Sequence, residues 1–500
     1  MDFFNESTLS AYFPGLAEIC INDDGQLVYA IVKEGKLVFE ENTESFSIPE
    51  RKHFPFDLPR ASAVERYFAQ QDHSLYYDLL TYLKRFSALD DEQWAIIAHY
   101  IFLTYLHDNP GIDYCPYILF DAVPERGKSR TGKSIIYVAF RGIHLIELRE
   151  TNIFRYSQHL HGTLFFDLLD ISKKAERANC EDLLLLRYEK GAQCSRVLHP
   201  DQGPFNDTEY FEIYGPTLIA SNEPLNKILE TRCLPINMPN SPGNYENPRP
   251  EIGLELKERL TAWRARHLFK TFSNIQPIDG VSGRLWDLSK PLFLINSLLP
   301  VNHQMLQDSI LAIAGEKNET RKETIEGRLV AIIKEITDEG ELHKFIEWNI
   351  KVNDIRTKYN EGRSEDKKVS AQWIGKRLQH MSIRHRRIHG YTEIIINSNE
   401  YNTLLKQYGY AGREISKLVN VQSSSLPEKD EQDQEHCMEV ESGRECTRVQ
   451  PTFSTPEEVN FFYKRMHELE KNFPGMPWDE RRIKAEKDLN EWRKQNEVPF

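Results

Sequence analysis

The chain has few cysteines and no long apolar run. These two features argue against a disulfide-rich, a zinc-binding or a membrane protein. Seven cysteines occur in 500 residues, at positions 20, 115, 180, 194, 233, 437 and 446. This odd number, without a Cys-x2-Cys pair, argues against a disulfide framework and against a zinc site. No stretch of about 18 apolar residues occurs, and the first residues lack the basic and apolar character of a secretory signal. We therefore expect a cytoplasmic protein without membrane contact.

Positive charge is also scarce, because the formal net charge is −13 at pH 7. Any contact with nucleic acid must then come from local basic patches rather than from a generally basic protein. Apolar residues make up 40% of the chain and aromatic residues 11%. That content is enough for two or three globular domains of about 100 to 200 residues each.

Hydrophobic periodicity changes several times along the chain. Short β-like runs between residues 17 and 48 predict a small meander, and a helical pattern follows from 63 to 108. Apolar runs at 117–120, 143–146, 164–166, 217–220 and 234–236 alternate with helical or loop segments, which is typical of a parallel α/β sheet. Residues 250–360 look all-helical, and 367–410 predict a compact helix-helix-hairpin unit.

A loop rich in glycine, lysine and serine follows the first of these apolar runs. Residues 122–134 read Ala-Val-Pro-Glu-Arg-Gly-Lys-Ser-Arg-Thr-Gly-Lys-Ser, which contains the P-loop pattern Gly-x4-Gly-Lys-Ser. In such a loop, backbone N–H groups surround the phosphates of a nucleotide, a Lys reaches the terminal phosphates, and a hydroxyl binds Mg²⁺ at a helix N-terminus. ATP and Mg²⁺ are therefore the predicted cofactors.

Two registers of this loop are possible. The pattern matches literally at Gly127, Gly132, Lys133 and Ser134. The other register uses Gly127 with Lys128 and Ser129, and it starts at Ala122, directly after the predicted strand. The distance from strand to loop favours this second register, which requires that the turn at Ala122 avoid a positive φ. Both registers stay open at this point.

Polar residues follow the later strands, where a nucleotide would lie. Asp167 follows the third of the five apolar runs and is the expected Mg²⁺ partner, by direct or water-mediated contact. Residue 168 is Leu rather than an acidic residue, so either hydrolysis is slow or Asp170 polarises the attacking water. Asn222 is expected to sense the γ-phosphate, and Arg232 to stabilise transition-state charge in a neighbouring subunit. His144, His159 and His161 lie on separate elements and receive no role.

Two basic segments predict contact with nucleic acid. Residues 190–214 read as a β-hairpin, with Lys190, Arg196 and His199 as candidates for binding single-strand phosphates. Residues 369–396 combine an amphipathic helix, a basic turn and a wing-like strand, as winged-helix modules do. The candidate phosphate contacts of this module are Lys376, Arg377, Arg384, Arg386 and Arg387. For both segments the alternative is a solvated surface or a protein contact.

In their order, these elements resemble the P-loop ATPases of the AAA+ group. More narrowly, they resemble the helicase-like ATPase modules of primase-helicase proteins from phages, plasmids and integrative elements. The similar stretch runs from 117 to 238, and more loosely to 410, and includes the segments Gly162-Thr-Leu-Phe-Phe-Asp167 and Gly215-Pro-Thr-Leu-Ile-Ala-Ser-Asn222. The resemblance implies a nucleotide-driven ring, a homo-oligomer such as a hexamer, with sites shared between subunits, and does not by itself establish DNA unwinding. Together with the two basic segments, it leads us to expect an ATPase and DNA helicase that acts on single-stranded or forked DNA in the replication of a mobile or viral element.

Two alternatives to this motor remain. One is a DNA-binding or assembly protein that nucleotide binding switches on, with weak or no hydrolysis. The other is a regulatory ATPase whose winged helix binds a protein. The predicted fold class is α/β, with a P-loop NTPase core, helical regions on both sides of it and a winged-helix-like module. The predicted parts are a β meander with a helical collar (1–110), the P-loop core (111–245), a helical lid region (246–365), the winged-helix-like module (366–412), an acidic disordered linker (413–454) and a C-terminal helical segment (455–500).

Overall fold

The computed structural model describes residues 8–203, 206–240, 243–301, 303–342, 345–388, 390–410, 465, 468–469, 483–485, 487–488 and 492. The chain divides into two compact units, residues 1–421 and 422–500. In the second unit the described residues are helical, and Arg465 lies 2.6 Å from Asp488 and 2.9 Å from Glu468. The predicted acidic linker at 413–454, with Cys437 and Cys446, lies outside the described residues.

The first unit opens with short strands and continues into helices. The strands are β1 (Thr8–Leu9), β2 (Leu16–Ile21), β3 (Leu27–Lys33), β4 (Lys36–Glu40) and β5 (Phe46–Ser47), and the helices are α1 (Ala61–Phe68), α2 (Leu75–Lys84) and α3 (Asp91–Thr104). Strands β2, β3 and β4 form an antiparallel sheet in that order. Every residue of α3 from Trp94 to Thr104 is buried, as expected for a helix that is apolar on all sides.

A five-stranded parallel sheet follows, as the buried apolar runs predict. The next elements are β6 (Tyr117–Asp121), α4 (Lys128–Ile136), β7 (Gly142–Leu145), α5 (Glu150–Gln158), β8 (Thr163–Asp167), α6 (Ile171–Arg177), α7 (Glu181–Leu186), β9 (Gln193–Val197), β10 (Thr208–Glu212), β11 (Thr217–Ser221), α8 (Lys227–Glu230) and β12 (Cys233–Asn237). The strand order is β12-β6-β11-β8-β7, and all four pairings are parallel. All carboxyl ends therefore meet at one edge, where ligands bind in sheets of this kind. Strands β9 and β10 form a separate antiparallel hairpin.

The remaining elements of the first unit form a helical layer and a small module. They are α9 (Pro250–His267), α10 (Arg284–Asn296), α11 (His303–Glu323), α12 (Ile325–Glu339), β13 (Glu347–Lys351), α13 (Val352–Asn360), α14 (Ala371–His380), β14 (Arg384–Ile388), β15 (Tyr391–Asn397) and α15 (Ser398–Gln407). Helix α9 packs on α1 and α2, while α10 and α11 pack on α3.

The module that begins at α12 has a hydrophobic core of its own. This core includes Leu329 and Ile333 of α12 as well as Trp348, Ile350 and Ile394 of the sheet β13-β15-β14. The stretch 250–360 is therefore not all-helical as predicted, because residues 347–351 form an edge strand. Its alternating burial, with Trp348 and Ile350 inward, is the two-residue period of a strand. The core of the module also begins before residue 366, the boundary that the sequence suggests.

Gly132 lies inside α4 and faces the ring of Phe165 in β8. A Cβ atom built on Gly132 would lie 2.1 Å from Cζ of that ring, far inside van der Waals contact. The absence of a side chain therefore lets α4 lie directly on the sheet.

Replacing Gly132 with Ala should lower the free energy of unfolding by about 1 to 3 kcal/mol, because the added methyl group forces α4 and Phe165 apart. Denaturant unfolding followed by circular dichroism measures this change. Gly315→Ala in α11 is the matched control, since a Cβ there meets nothing within 4 Å. The control should raise stability by about 0.4 to 1 kcal/mol. Equal stability of Gly132→Ala and wild type would contradict the packing argument.

His107 is a buried histidine whose protonation opposes folding. Its Nδ1 lies 2.8 Å from the Thr104 carbonyl oxygen, and Nε2 has no partner among the described residues. Burial lowers the pKa of His107 to about 4. Burial likewise lowers the pKa of His161, which stacks on Tyr12, to about 3. Because a histidine of the unfolded chain titrates at about pH 6.5, the unfolded state takes up protons first as the pH falls.

Stability should therefore fall as the pH drops from about 7 towards about 4, and His107→Phe should make this fall smaller. Phe suits the site because the imidazole already packs beside the rings of Phe140 and Tyr214. The measurement is the free energy of unfolding in denaturant at several pH values. His159→Gln, at an exposed histidine, is the control and should leave the slope unchanged. A His107→Phe slope identical to that of wild type would show that this histidine does not contribute.

Candidate functional site

A pocket of about 570 Å³ opens at the carboxyl edge of the parallel sheet. This volume lies within the range of small-molecule sites, about 300 to 1,000 Å³. The pocket is lined by Phe86, Ser87, Ala88, Pro124, Glu125, Arg126, Gly127, Lys128, Ser129, Arg130, Asn222, Met238, Pro239, Asn240, Gly243 and Tyr245. One end is formed by the loop between β6 and α4 and by the first turn of α4, which together carry three cationic side chains, and the other by apolar, aromatic and amide groups.

The loop from Ala122 to Gly127 makes a sharp turn between β6 and α4. Gly127 is the N-cap of α4 and has φ 84°, in the left-handed region that glycine adopts without penalty. Glu125 has φ 68°, which is uncommon for a residue with a side chain. Ala122 has no positive φ, as the register that starts there requires. Helix α4 therefore begins at Lys128, directly after this turn.

The backbone N–H groups of residues 125–130 are free within the part of the chain that the structure describes. No described group accepts a hydrogen bond from any of them. They belong to the end of the loop and to the first turn of α4, where N–H groups have no intrahelical acceptor. The helix dipole adds partial positive charge at the same place. Loop and helix start together form a site for an anion such as a phosphate group.

Lys128 directs its side chain back into this loop. It is only 8% exposed, and its Nζ donates hydrogen bonds to the carbonyl oxygens of Ala122 and, at 3.0 Å, Val123. Burial lowers the pKa of Lys128, while the nearby carboxylates of Asp121 and Asp167 act in the opposite direction. The ammonium group is thus held at the end of the pocket that the loop forms.

Asp167 stands beside the first turn of α4 and receives two side-chain contacts. The Ser129 hydroxyl donates to Oδ1 at 2.8 Å, and Nε2 of His144 lies 3.3 Å from Oδ2. Burial alone would raise the pKa of Asp167, but the hydrogen bonds from His144 and Ser129 outweigh it, so the pKa is lowered. Nothing in the sequence pairs His144 with another group, because only the strand order shows that β7 is the neighbour of β8.

The second Gly-Lys-Ser triplet lies farther along α4. Gly132 lies against the ring of Phe165 in the core. Ser134 is fully buried and donates its hydroxyl to the Thr131 carbonyl at 2.8 Å. Neither Lys133 nor Ser134 lines the pocket. Of the two registers, the one with Lys128 and Ser129 has its residues at the pocket, and the literal match does not.

Of the other predicted catalytic residues, only Asn222 lines the pocket. Asp170 is the N-cap of α6, accepts a hydrogen bond from the Lys173 backbone at 3.0 Å, and pairs with the Lys173 ammonium at 2.9 Å. Asn222 lines the pocket beyond the end of β11. Arg232 follows α8, donates to the Ile228 carbonyl oxygen of that helix at 2.9 Å and lies over the Tyr188 ring; it does not line the pocket.

The hairpin β9–β10 offers less positive charge than its sequence suggests. Lys190 is partly buried and donates to the Asn109 carbonyl oxygen at 2.6 Å. Arg196 forms an ion pair with Glu150, and His199 lies 3.3 Å from Glu209. All three predicted phosphate contacts of this hairpin are therefore already engaged by other groups.

The module at 325–407 has two of its predicted phosphate contacts free. Lys376 and Arg387 are exposed and have no ion-pair partner among the described residues. The other three are paired: Arg377 with Glu326 at 3.0 Å, Arg384 with Glu347 and Glu400 at 2.9 and 3.0 Å, and Arg386 with Glu393 at 3.8 Å. The basic patch of this module is thus smaller than the sequence suggests.

Oxygen ligands of the kind that Mg²⁺ prefers lie at the edge of the pocket, because Ser129 lines it and contacts Asp167, which does not. Within the described ranges, no group of three or more His, Cys, Asp and Glu side chains could hold a metal ion by itself. The Ser129 hydroxyl and the Asp167 carboxylate, 2.8 Å apart, nevertheless suit Mg²⁺, which commonly takes one or two protein ligands together with phosphate oxygens and water. Within the same ranges, no helix is long and apolar enough to cross a bilayer.

Comparison with known proteins adds little to this geometry. No protein-family model matches the chain, and no curated protein matches it. A solved structure entitled "SCCmec type IV Cch - active helicase" is similar over 80% of this chain and 81% of that chain, with 11% sequence identity and a TM-score of 0.32. A TM-score of this size is too low to establish a shared fold. The ligand of the pocket must therefore be inferred from the pocket's own residues.

Proposed function

We propose that this protein is an ATPase that binds ATP and Mg²⁺ in the pocket at the carboxyl edge of the parallel sheet. The observation that carries the proposal is the row of backbone N–H groups at residues 125–130, which have no acceptor among the described residues and lie at the N-terminus of α4 with the Lys128 side chain. These are the groups that a triphosphate requires, and they line a pocket large enough for a nucleotide.

Each residue of the proposed site then has a defined task. Backbone N–H groups of the loop bind phosphate oxygens, and the Lys128 ammonium exchanges its carbonyl contacts for the β- and γ-phosphates. The Ser129 hydroxyl and the Asp167 carboxylate hold Mg²⁺, which neutralises charge that develops on the phosphates. Asn222 orients the attacking water. The neutral end of the pocket, which includes Tyr245 and Met238, receives the base.

The motor function is the larger part of the proposal. We infer that ATP hydrolysis drives a ring-shaped helicase, such as a hexamer, on DNA of a mobile or viral element, with Arg232 acting on the nucleotide of a neighbouring subunit. The element order of the module at 325–407, in which a helix, a strand, two helices and a two-stranded wing follow one another, supports a winged helix. Its exposed Lys376 and Arg387 supply the contacts to phosphate.

A nucleotide-gated switch is the second candidate, and a specific observation favours it. Leu168 is apolar and buried, so it cannot polarise water, and Asp170 is already bound to the start of α6. No acidic side chain therefore takes the position directly after Asp167. In such a switch, ATP binding would order the assembly on DNA, and turnover would stay close to background.

Lys128→Ala should reduce kcat/KM for ATP on the order of 100-fold, because the ammonium group stabilises charge on the transferred phosphoryl group. Lys133→Ala is the matched control and should retain near wild-type turnover. Steady-state hydrolysis is measured for wild type and both variants, with and without single-stranded DNA. Strong stimulation by DNA would favour the motor, and measurable ATP binding with negligible hydrolysis would favour the switch. Normal turnover in Lys128→Ala would contradict the site.

Contact between the module and DNA predicts a definite salt dependence. Lys376→Ala and Arg387→Ala should each reduce the slope of log K against log salt concentration by about 0.9 on duplex DNA, because each removes one phosphate contact. Fluorescence anisotropy at several salt concentrations measures the slope. Lys358→Ala removes the same charge, but Lys358 is held by Glu335 and Glu339 at 2.8 and 2.7 Å, so its slope should not change. Equal slopes in all variants would exclude these two contacts.

A further inference from the structure

His144 contacts Asp167 at the carboxyl edge of the sheet, and no part of the proposed nucleotide site uses it. It lies in β7, the edge strand next to β8, and its Nε2 faces Oδ2 of Asp167 at 3.3 Å. The side chain is 23% exposed, so it lies between the core and the open edge of the sheet. Any role of this contact in metal binding rests on the proposed binding of ATP and Mg²⁺ at the same edge.

The two oxygen atoms of Asp167 have different partners. Oδ1 accepts from the Ser129 hydroxyl at 2.8 Å, whereas Oδ2 faces His144. Ser129 is itself a proposed Mg²⁺ ligand, so its hydroxyl is shared with the metal once Mg²⁺ and nucleotide are bound. His144 is then the contact to Asp167 that does not depend on the metal. No other described side chain donates a hydrogen bond to this carboxylate.

The core fixes the orientation of the His144 ring. The imidazole stacks on Phe165, with ring centroids 5.2 Å apart and an angle of 22° between the planes. Phe165 is fully buried and packs against Gly132 of α4. The ring of His144 therefore rests on a side chain that α4 and β8 hold in place, and Nε2 is presented to Asp167 without the entropic cost of ordering a mobile group.

We propose that His144 is the positioning residue of the Mg²⁺ site: it holds the Asp167 carboxylate in the orientation in which that carboxylate meets the metal bound to ATP. Metal-binding carboxylates are commonly held by such hydrogen bonds, and loss of the partner lowers metal affinity or activity about 10- to 100-fold. The role concerns the metal and not the nucleotide, because His144 contacts the proposed metal ligand Asp167 and does not line the pocket proposed for the phosphates and base.

Two substitutions separate the hydrogen bond from the packing. His144→Phe keeps an aromatic ring that can stack on Phe165 but has no N–H group. His144→Gln loses the ring but keeps an amide that can donate to Asp167 from a position close to that of Nε2. His159→Gln, at an exposed histidine outside the site, is the control. Far-UV circular dichroism of each variant shows whether the fold is retained.

The experiment measures metal binding directly. Mn²⁺ serves as the probe, and its electron paramagnetic resonance signal is titrated with full-length protein and a non-hydrolysable ATP analogue. We expect about tenfold weaker Mn²⁺ binding in His144→Phe, binding within about threefold of wild type in His144→Gln, and no change in the control. The affinity for the analogue in EDTA should be the same in all four proteins, because the phosphate-binding groups are intact.

The possible outcomes separate this inference from the function on which it rests. If wild type binds Mn²⁺ with the analogue and His144→Phe binds it equally well, His144 does not position the carboxylate, while the nucleotide site stands. If His144→Phe and His144→Gln lose Mn²⁺ binding equally, an amide donor does not replace the imidazole N–H group. The hydrogen bond to Asp167 is then not what matters, and the inference also fails. If wild type binds neither the analogue nor Mn²⁺ in its presence, the proposed function fails and the role of His144 fails with it.

Discussion

The close contact between α4 and β8 is the constraint on which the candidate site depends. Because Gly132 has no side chain, the Phe165 ring fills the space beneath α4, and the helix lies directly on the sheet. This position brings Ser129, in the first turn of α4, to within 2.8 Å of the Asp167 carboxylate at the end of β8. One missing side chain in the core thus sets the distance between the two oxygen ligands proposed for Mg²⁺. A glycine that reads as part of a phosphate-binding motif is required here for packing.

Buried charges connect the parts of the first unit around this core. Glu18 of the meander pairs with Arg141 at 2.6 Å, and both side chains are almost fully buried. Arg264 of α9 reaches Asp108 at 2.6 Å and also donates to backbone carbonyls of β2. Such pairs gain little over apolar contacts, but a partner left alone in the core is costly. They therefore select one arrangement of the meander, α9 and the sheet more than they add stability.

The sequence predicts the central sheet well, because its strands are continuous apolar runs that both faces bury. It also contains the loop and Asp167, since both follow predicted strands directly. The order of the strands is not contained in the sequence pattern, so the contact between His144 and Asp167 could not be foreseen. The strand 347–351 was missed because its apolar residues, Trp348 and Ile350, are only two in number and stand between helical patterns.

The sequence also suggests more free positive charge than the structure shows. A run of cations suggests phosphate binding, but carboxylates from distant parts of the chain neutralise many of them. Arg196 meets Glu150 of α5, and Arg384 meets Glu347 and Glu400. In a chain with net charge −13, such pairing is expected wherever an arginine lies near the surface of a neighbouring element. Only the three-dimensional structure shows which cations remain free.

The position of Lys128 has a consequence for the choice of ligand. Its ammonium group is satisfied by two carbonyl oxygens of its own loop, so it is not an exposed positive charge that attracts every anion. A ligand that binds Lys128 must supply oxygen atoms that replace both of these carbonyl contacts. In the proposed site, sulfate or a single phosphate would touch only part of the loop, whereas a chain of phosphates would engage the backbone N–H groups and the ammonium together. In the proposed ATP site, the loop would thus select for long anions through the hydrogen bonds it makes with itself.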